Sequence, residues 1–344
     1  MMVEELLFKL CGTFSGPGAE SGIANVIRAE MQNYSDEARI DKNGNVICTL
    51  GKTPESARHI LIDAHMDQVS MLVTAVDDSG FINISPCGGV DSRTLPGSTV
   101  IIHGKEIVTG IVWTTPPHLA SKETSDFAKT EDLLVDTGLS AKKVHEVVSV
   151  GDYISFSTKP QKLLGNRITA PALDNRAGVA VLICCARLLK GKEIPARVTF
   201  LFSTQEEINS VGAKTAAFPL DYDETISVDV SFAKQPGVPE EKCGNLSGGP
   251  MIGIAPTLSR EISCKFVDLA EANKIPYQLE VMSSATSTTS DVITASKSGV
   301  AGGLLSVPLR NMHTPVEVVD IADIENAARL LAQYIMTGGD DCGR

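Results

Sequence analysis

A chain of 344 residues is too long for one simple core, and 43% hydrophobic with 21% charged residues is the balance of a globular protein of two domains, or of one domain carrying an insertion. A formal net charge of −12 argues against binding to a phosphate backbone, which needs concentrated positive surface. No run of about 18 apolar residues is present to cross a bilayer, so neither nucleic acid nor membrane is an expected partner.

Met1 to Phe14 lacks the basic start and apolar stretch of a signal peptide, because Glu4, Glu5 and Lys9 interrupt it. Leu6, Leu7, Leu10 and Cys11 instead fall on one face of a helix, which Gly16-Pro17-Gly18 is expected to end. A second helix carries Ile23, Val26, Ile27 and Met31 as its apolar stripe. Asn43-Gly44, between Ile40 and Val46-Ile47, predicts a hairpin with positive φ at both turn residues. His59–Ile62 reads as a buried strand that delivers Asp63-Ala64-His65-Met66-Asp67 at its C-terminal end.

Over residues 69–163 the texture changes. Short β-like runs, Met71–Val76, Phe81–Ile84, Thr99–His103, Ile107–Trp113 and Tyr153–Phe156, are separated by Gly, Pro, Asp and Ser. They predict a small β-rich domain, with Trp113 in its core, inserted into a discontinuous α/β domain of residues 1–68 and 164–344. In the second half Asp174 opens a helix whose residues Ala177–Leu189 are apolar nearly all round, hence buried. Arg197–Ser203 and Thr225–Val230 read as buried strands, Ile262–Lys274 as a helix, and Gln278–Val281 and Gly303–Val307 as strands. The last helix starts at an Asp320 cap, faces inward through Ile324, Ala327, Ala328, Leu331 and Ile335, and has Gly338 past its end. The eight cysteines include no C-x-x-C, and buried reduced thiols in a cytoplasmic protein are expected.

The acids and histidines share one kind of location. His65 and Asp67 follow one apolar strand, Glu206 and Glu207 a second, and Asp229 ends a third; Asp174 begins the buried helix, and His313 follows the run before Pro308. In an open α/β sheet, ligands bind beyond the carboxyl ends of the strands. Buried carboxylates that converge need a cation, and imidazoles with carboxylates but no thiolate suit zinc, cobalt or manganese. Taken singly, each residue is weak: His59, His103 and His145 read as structural or exposed, and Gly88-Gly89 and Gly248-Gly249 as turns.

The ordered motifs Ala64-His65-Met66-Asp67, Ala172-Leu173-Asp174-Asn175-Arg176, Gln205-Glu206-Glu207, Val228-Asp229-Val230 and Arg310-Asn311-Met312-His313 resemble those of the M42 metallo-aminopeptidases, which include glutamyl and tetrahedral aminopeptidases. Asp41-x-x-Gly44-Asn45, Pro116-Pro117-His118, Gly248-Gly249-Pro250 and Ile275-Pro276-Tyr277-Gln278 match as well. The resemblance implies a mixed-sheet α/β/α catalytic domain of the phosphorylase/hydrolase-like kind, with an inserted small β-barrel-like domain that builds dimers. It implies two divalent metals per chain, zinc or cobalt before manganese. Asp174 would bridge them, with His65 and Asp229 on one and Glu207 and His313 on the other. Asp67 would accept the second ring N–H of His65, and Glu206 would be the general base acting on a metal-bound water nucleophile. Glu206 and Glu207 would lie on an extended segment and point opposite ways. The Asp174–Asn175 bond would be cis.

The implied activity is removal of N-terminal residues from short peptides by a cytoplasmic homo-oligomer, dimer-based and up to a tetrahedral dodecamer. Departures at Gln68-Val69-Ser70, Asn209-Ser210-Val211 and Ser287-Thr288-Thr289-Ser290 are expected to shape the substrate pocket rather than remove a ligand. The alternatives are a metal-dependent N-acyl amino acid deacylase and a non-catalytic scaffold on the same fold. A glycosidase would not need the histidines, and 5% aromatic residues with one Trp fit carbohydrate poorly.

Overall fold

The computed structural model describes residues 2–51, 57–113 and 129–339; Pro116-Pro117-His118 lies outside them. The main sheet has eight strands in the order Glu37–Ile40, Val46–Leu50, Arg197–Ser203, His59–His65, Glu224–Phe232, Ala301–Leu309, Met251–Ile254 and Gln278–Val281. The strands from Arg197–Ser203 to Ala301–Leu309 run parallel, and antiparallel neighbours flank them on either side. Parallel strands are covered on both faces, and side chains alternate accordingly. Ile60, Ile62, Val198, Phe200 and Phe202 enter one core, with the helices Val3–Cys11, Leu173–Leu189 and Ile321–Met336. Leu61 and Leu201 point to the other face, where Ala213, Ala217 and Ile293 meet them.

The helix Leu173–Leu189 is buried along nearly its whole length, which is why its sequence is apolar all round. Asp174 and Asn175 at its start have non-helical backbone, and the bond between them is cis. Asp320 caps the last helix, its Oδ1 accepting from the Ala322 N–H at 3.0 Å. The first helix ends at Cys11 with Gly12 as its cap, earlier than the Gly16-Pro17-Gly18 turn suggests. In the hairpin only Gly44 of the turn pair has positive φ, 88°. Ile40 pairs with Val46, so the loop is 41–45 rather than a two-residue turn, and Asp41 ties it by accepting from the N–H groups of Asn43 and Asn45.

The strands Ser70–Val76, Ile82–Cys87, Leu134–Asp136, Ile107–Val112, Thr99–His103 and Tyr153–Phe156 close into a barrel in that order. Its interior is filled by Met71, Val73, Ile84, Val100, Ile102 and Ile154. Trp113 does not join them. It is 43% exposed at the end of its strand, where the narrow interior already holds branched aliphatic side chains. The short helix Ala141–Val147 inserts Val144 and Val147 into the barrel cluster. Phe14 stacks on His103 at 3.9 Å, and the Tyr153 hydroxyl donates to the Pro17 carbonyl at 2.6 Å, fastening the barrel to the first loop. A third sheet pairs Arg167–Ala170 with Glu317–Asp320 and sets Glu317 opposite Ala170, just before the kinked helix start. No helix among the described residues is long and apolar enough to cross a membrane.

Candidate metal centre

His65 closes the strand His59–His65, and Asp229 lies inside Glu224–Phe232, which extends past the expected end at Val230. Gln205 takes left-handed backbone at φ 55°, and Glu206–Asn209 forms one turn of helix. The two glutamates therefore diverge around a helix start and not along an extended segment. His313 follows Ala301–Leu309, with φ 61°. His65, Asp174, Glu206, Glu207, Asp229 and His313 together line a cavity of about 400 Å³.

Two groups meet at Asp174. His65 Nε2 lies 3.2 Å from Asp174 Oδ1 and 3.6 Å from Asp229 Oδ1. His313 Nε2 lies 3.3 Å from Asp174 Oδ2 and 3.4 Å from Glu207 Oε2. Within each group the possible ligand atoms lie within 4.8 Å of one another. Glu206 Oε2 stands 4.0 Å from His65 Nε2, beside the first group.

The supporting shell fixes these atoms. Gly89 of the barrel loop offers its carbonyl 2.9 Å from His313 Nδ1; a carbonyl only accepts, so Nδ1 carries the proton and the Nε2 lone pair faces the acids. Gly88-Gly89, read from sequence as a plain turn, thus reaches the site. Glu317, buried and not singled out by its sequence context, accepts from the Asp174 N–H at 3.0 Å and the His313 N–H at 2.8 Å. Asp67 accepts from the N–H groups of Glu206, at 2.9 Å, and Glu207, at 3.1 Å. It lies 3.4 Å from His65 Nδ1, longer than a good hydrogen bond, so its first task is to hold the glutamate turn. Arg176, fully buried, donates to the Met66 carbonyl at 2.5 Å and to Ser15 Oγ at 2.7 Å, pinning the segment between His65 and Asp67.

Charge is unevenly compensated here. Burial pushes Glu206 up to about 7, with Asp229, Asp174 and Asp67 adding to the rise and His65 opposing it. Burial also drives Glu207 well above the usual carboxylate range, reinforced by Asp174. For Asp174 burial is outweighed by His313 and His65, which hold it below its ordinary value. Burial works against a charged His65, yet Glu206, Asp174, Asp229 and Asp67 carry its pKa well above normal. Glu207 Oε1 is buried without a hydrogen-bond partner. An orphaned carboxylate oxygen, an excess of acid and two imidazoles aimed at a shared aspartate are a donor set that suits divalent cations.

Of the departures in sequence, Ser287 and Thr288 line the cavity. Gln68 lies behind it, its Oε1 3.4 Å from Arg176, and Asn209 turns outward to accept from Lys214 Nζ at 2.9 Å. His59 is structural as expected, its Nε2 2.8 Å from Thr199 Oγ1.

Residues 44–330 match the family model described as M42 glutamyl aminopeptidase. The chain is 31% identical over 332 residues to the lysyl aminopeptidase of Pyrococcus furiosus, covering 95% of this chain and 94% of that one. An aminopeptidase from the archaeon Desulfurococcus kamchatkensis superposes with a TM-score of 0.91 at 32% identity, over 97% of this chain and 94% of that one. The TET1 peptidase of Pyrococcus horikoshii, described as able to assemble into a tetrahedron or a large octahedral shell, gives 0.85 at 28% identity, over 97% and 99% of the two chains. With the ordered motifs gathered at one cavity and the likeness spanning sheet and barrel alike, the chain belongs to the M42 family of aminopeptidases and is a peptide hydrolase.

Proposed function

We propose that this chain is a two-metal aminopeptidase that hydrolyses the first peptide bond of short peptides. The observation that carries the reading is the pair of ligand groups sharing Asp174, with Glu206 beside them. His65, Asp174 and Asp229 would hold one cation, and Asp174, Glu207 and His313 the other. When bound, the two cations supply Lewis acidity at the scissile carbonyl and acidify water at the site. Glu206 takes a proton from the attacking water and passes it to the leaving amine as the C–N bond breaks. Asp67 keeps Glu206 and Glu207 in register through their N–H groups, and Gly89 keeps the His313 lone pair on the ligand side.

Residues 69–163 form the inserted unit of a discontinuous catalytic domain on this reading, and serve dimer assembly. Ile107, Ile111 and Trp113 are exposed on the barrel, and the TET1 relative's shells support a homo-oligomer of this chain. The described cysteines are all free, which supports a reducing, cytoplasmic compartment.

The test is chelator-stripped protein, restored with zinc, cobalt or manganese and assayed on aminoacyl-anilides, short peptides and N-acylated amino acids, with Glu206→Gln in parallel. Metal-restored release of N-terminal residues, lost in the variant while two metals stay bound, is expected. Cleavage of N-acylated substrates alone would replace the reading with a deacylase. Metal binding without any hydrolysis would favour a scaffold.

A further inference from the structure

Glu280 lines the cavity but belongs to neither ligand group. It sits on the edge strand Gln278–Val281, and it also lines an adjoining cavity of about 350 Å³, so it stands where the two spaces meet. Ser231 Oγ donates to Oε1, and Ser306 Oγ donates to Oε2 at 2.8 Å. These hydroxyls orient the carboxylate without neutralising it. Among the described residues no cation forms an ion pair with it, and burial, aided by Asp229, penalises its charge. Phe232, Leu304 and Met312 supply apolar wall around the same cavity.

A poorly solvated carboxylate beside apolar wall is complementary to a side chain with a hydrocarbon stem and a cationic tip. A lysine or arginine fills both requirements, whereas an acidic side chain would add like charge to a region already rich in carboxylates. We infer that Glu280 determines specificity, selecting peptides whose N-terminal residue is lysine or arginine, an inference that rests on the aminopeptidase reading above. A charge-assisted contact of this kind is worth about tenfold to a hundredfold in discrimination.

The experiment compares kcat/KM of the metal-loaded protein for lysyl, arginyl, norleucyl and glutamyl anilides, with Glu280→Gln alongside. Norleucine keeps the lysine stem and lacks its charge. Lysyl and arginyl substrates should lead norleucyl by about tenfold to a hundredfold, and the variant should lose most of that lead while its norleucyl activity stays within about threefold. Glutamine keeps the length of the side chain and can still bond both serines, so a role limited to holding Ser231 and Ser306 would not move the ratio. Calorimetric titration with free L-lysine and free L-norleucine reads the same preference without turnover. Equal handling of lysyl and norleucyl substrates, or an equal loss on every substrate in the variant, would overturn the inference and leave the aminopeptidase reading intact. Glu280-dependent lysine binding in a protein that hydrolyses nothing would do the reverse.

Discussion

Replacing Asp67 by Asn changes one oxygen and tests how the glutamate turn is held. The carboxylate accepts two backbone N–H groups, at 2.9 Å from Glu206 and 3.1 Å from Glu207, in a fully buried position. Hydrogen bonds to a charged group contribute about 1.5–3 kcal/mol each. Asparagine keeps one acceptor and turns an amide donor toward the other N–H, so the folded state should lose about 2 kcal/mol. Alanine leaves both donors unpaired and should lose about 3–6 kcal/mol, the sum of the two bonds. Because the same turn sets the Glu207 carboxylate, metal affinity should fall by about tenfold to a hundredfold in the Asn variant. Urea unfolding of the chelated protein gives the first quantity and competitive metal titration the second. An Asn variant with unchanged metal affinity, but destabilised as calculated, would refute the link from Asp67 through the turn to the metal centre.

Other outcomes follow from the same geometry. A Cβ at Gly89 would lie 2.8 Å from His313 Nδ1, so Gly89→Ala should selectively weaken the cation proposed at His313, read as a split in the metal-binding isotherm. Burial pushes Cys11 and Cys48 up to about 12 and Cys184 to about 11, leaving almost no thiolate near neutrality; iodoacetamide at pH 8 should modify exposed Cys264 long before these, as peptide mapping will tell. Burial lowers the pKa of His103, so its contribution to stability is present above about pH 6.5, the unfolded value, and is lost as pH falls through the depressed folded value. Wild type should therefore lose more stability than His103→Asn on acidification through that range, measured as the difference between their urea midpoints. Chelation should lower the unfolding free energy extrapolated from urea titration by about 4 kcal/mol where free metal had been a thousand times its dissociation constant, and the midpoint should fall with it.

Much of the fold was written in periodicity. Ile60, Leu61 and Ile62 are uninterrupted because a central parallel strand is covered on both faces, and Leu173–Leu189 is apolar all round because it is buried. The acids and histidines could be grouped because each lies near the C-terminal end of a strand, just past one, or at the start of a helix. What escaped the sequence depended on contacts between distant segments. Glu317 looks like any polar residue beside a valine pair until its strand sets it opposite Ala170. Gly89 reads as a turn glycine, and only the closed barrel brings its carbonyl to His313, 224 residues away in the chain. Glu280 sits in a short strand whose neighbours Leu279 and Val281 are exposed, so no burial pattern marks it. The extended reading of Glu206-Glu207 failed for a local reason: the left-handed Gln205 turns the chain into a helix where alternation would have continued it.

The bond between the Gly89 carbonyl and the His313 ring ties the barrel to the cavity. A module that served only assembly, the role proposed for it above, could be trimmed or exchanged freely. This one lends an atom to the orientation of a proposed ligand, so the barrel and the sheet must keep their mutual placement closely. Grafting a barrel from a relative, or excising it to make a smaller enzyme, would have to preserve that single carbonyl. The two parts of the chain are thus constrained to vary as a matched pair, and a disturbance on the barrel can reach the chemistry without touching a metal ligand.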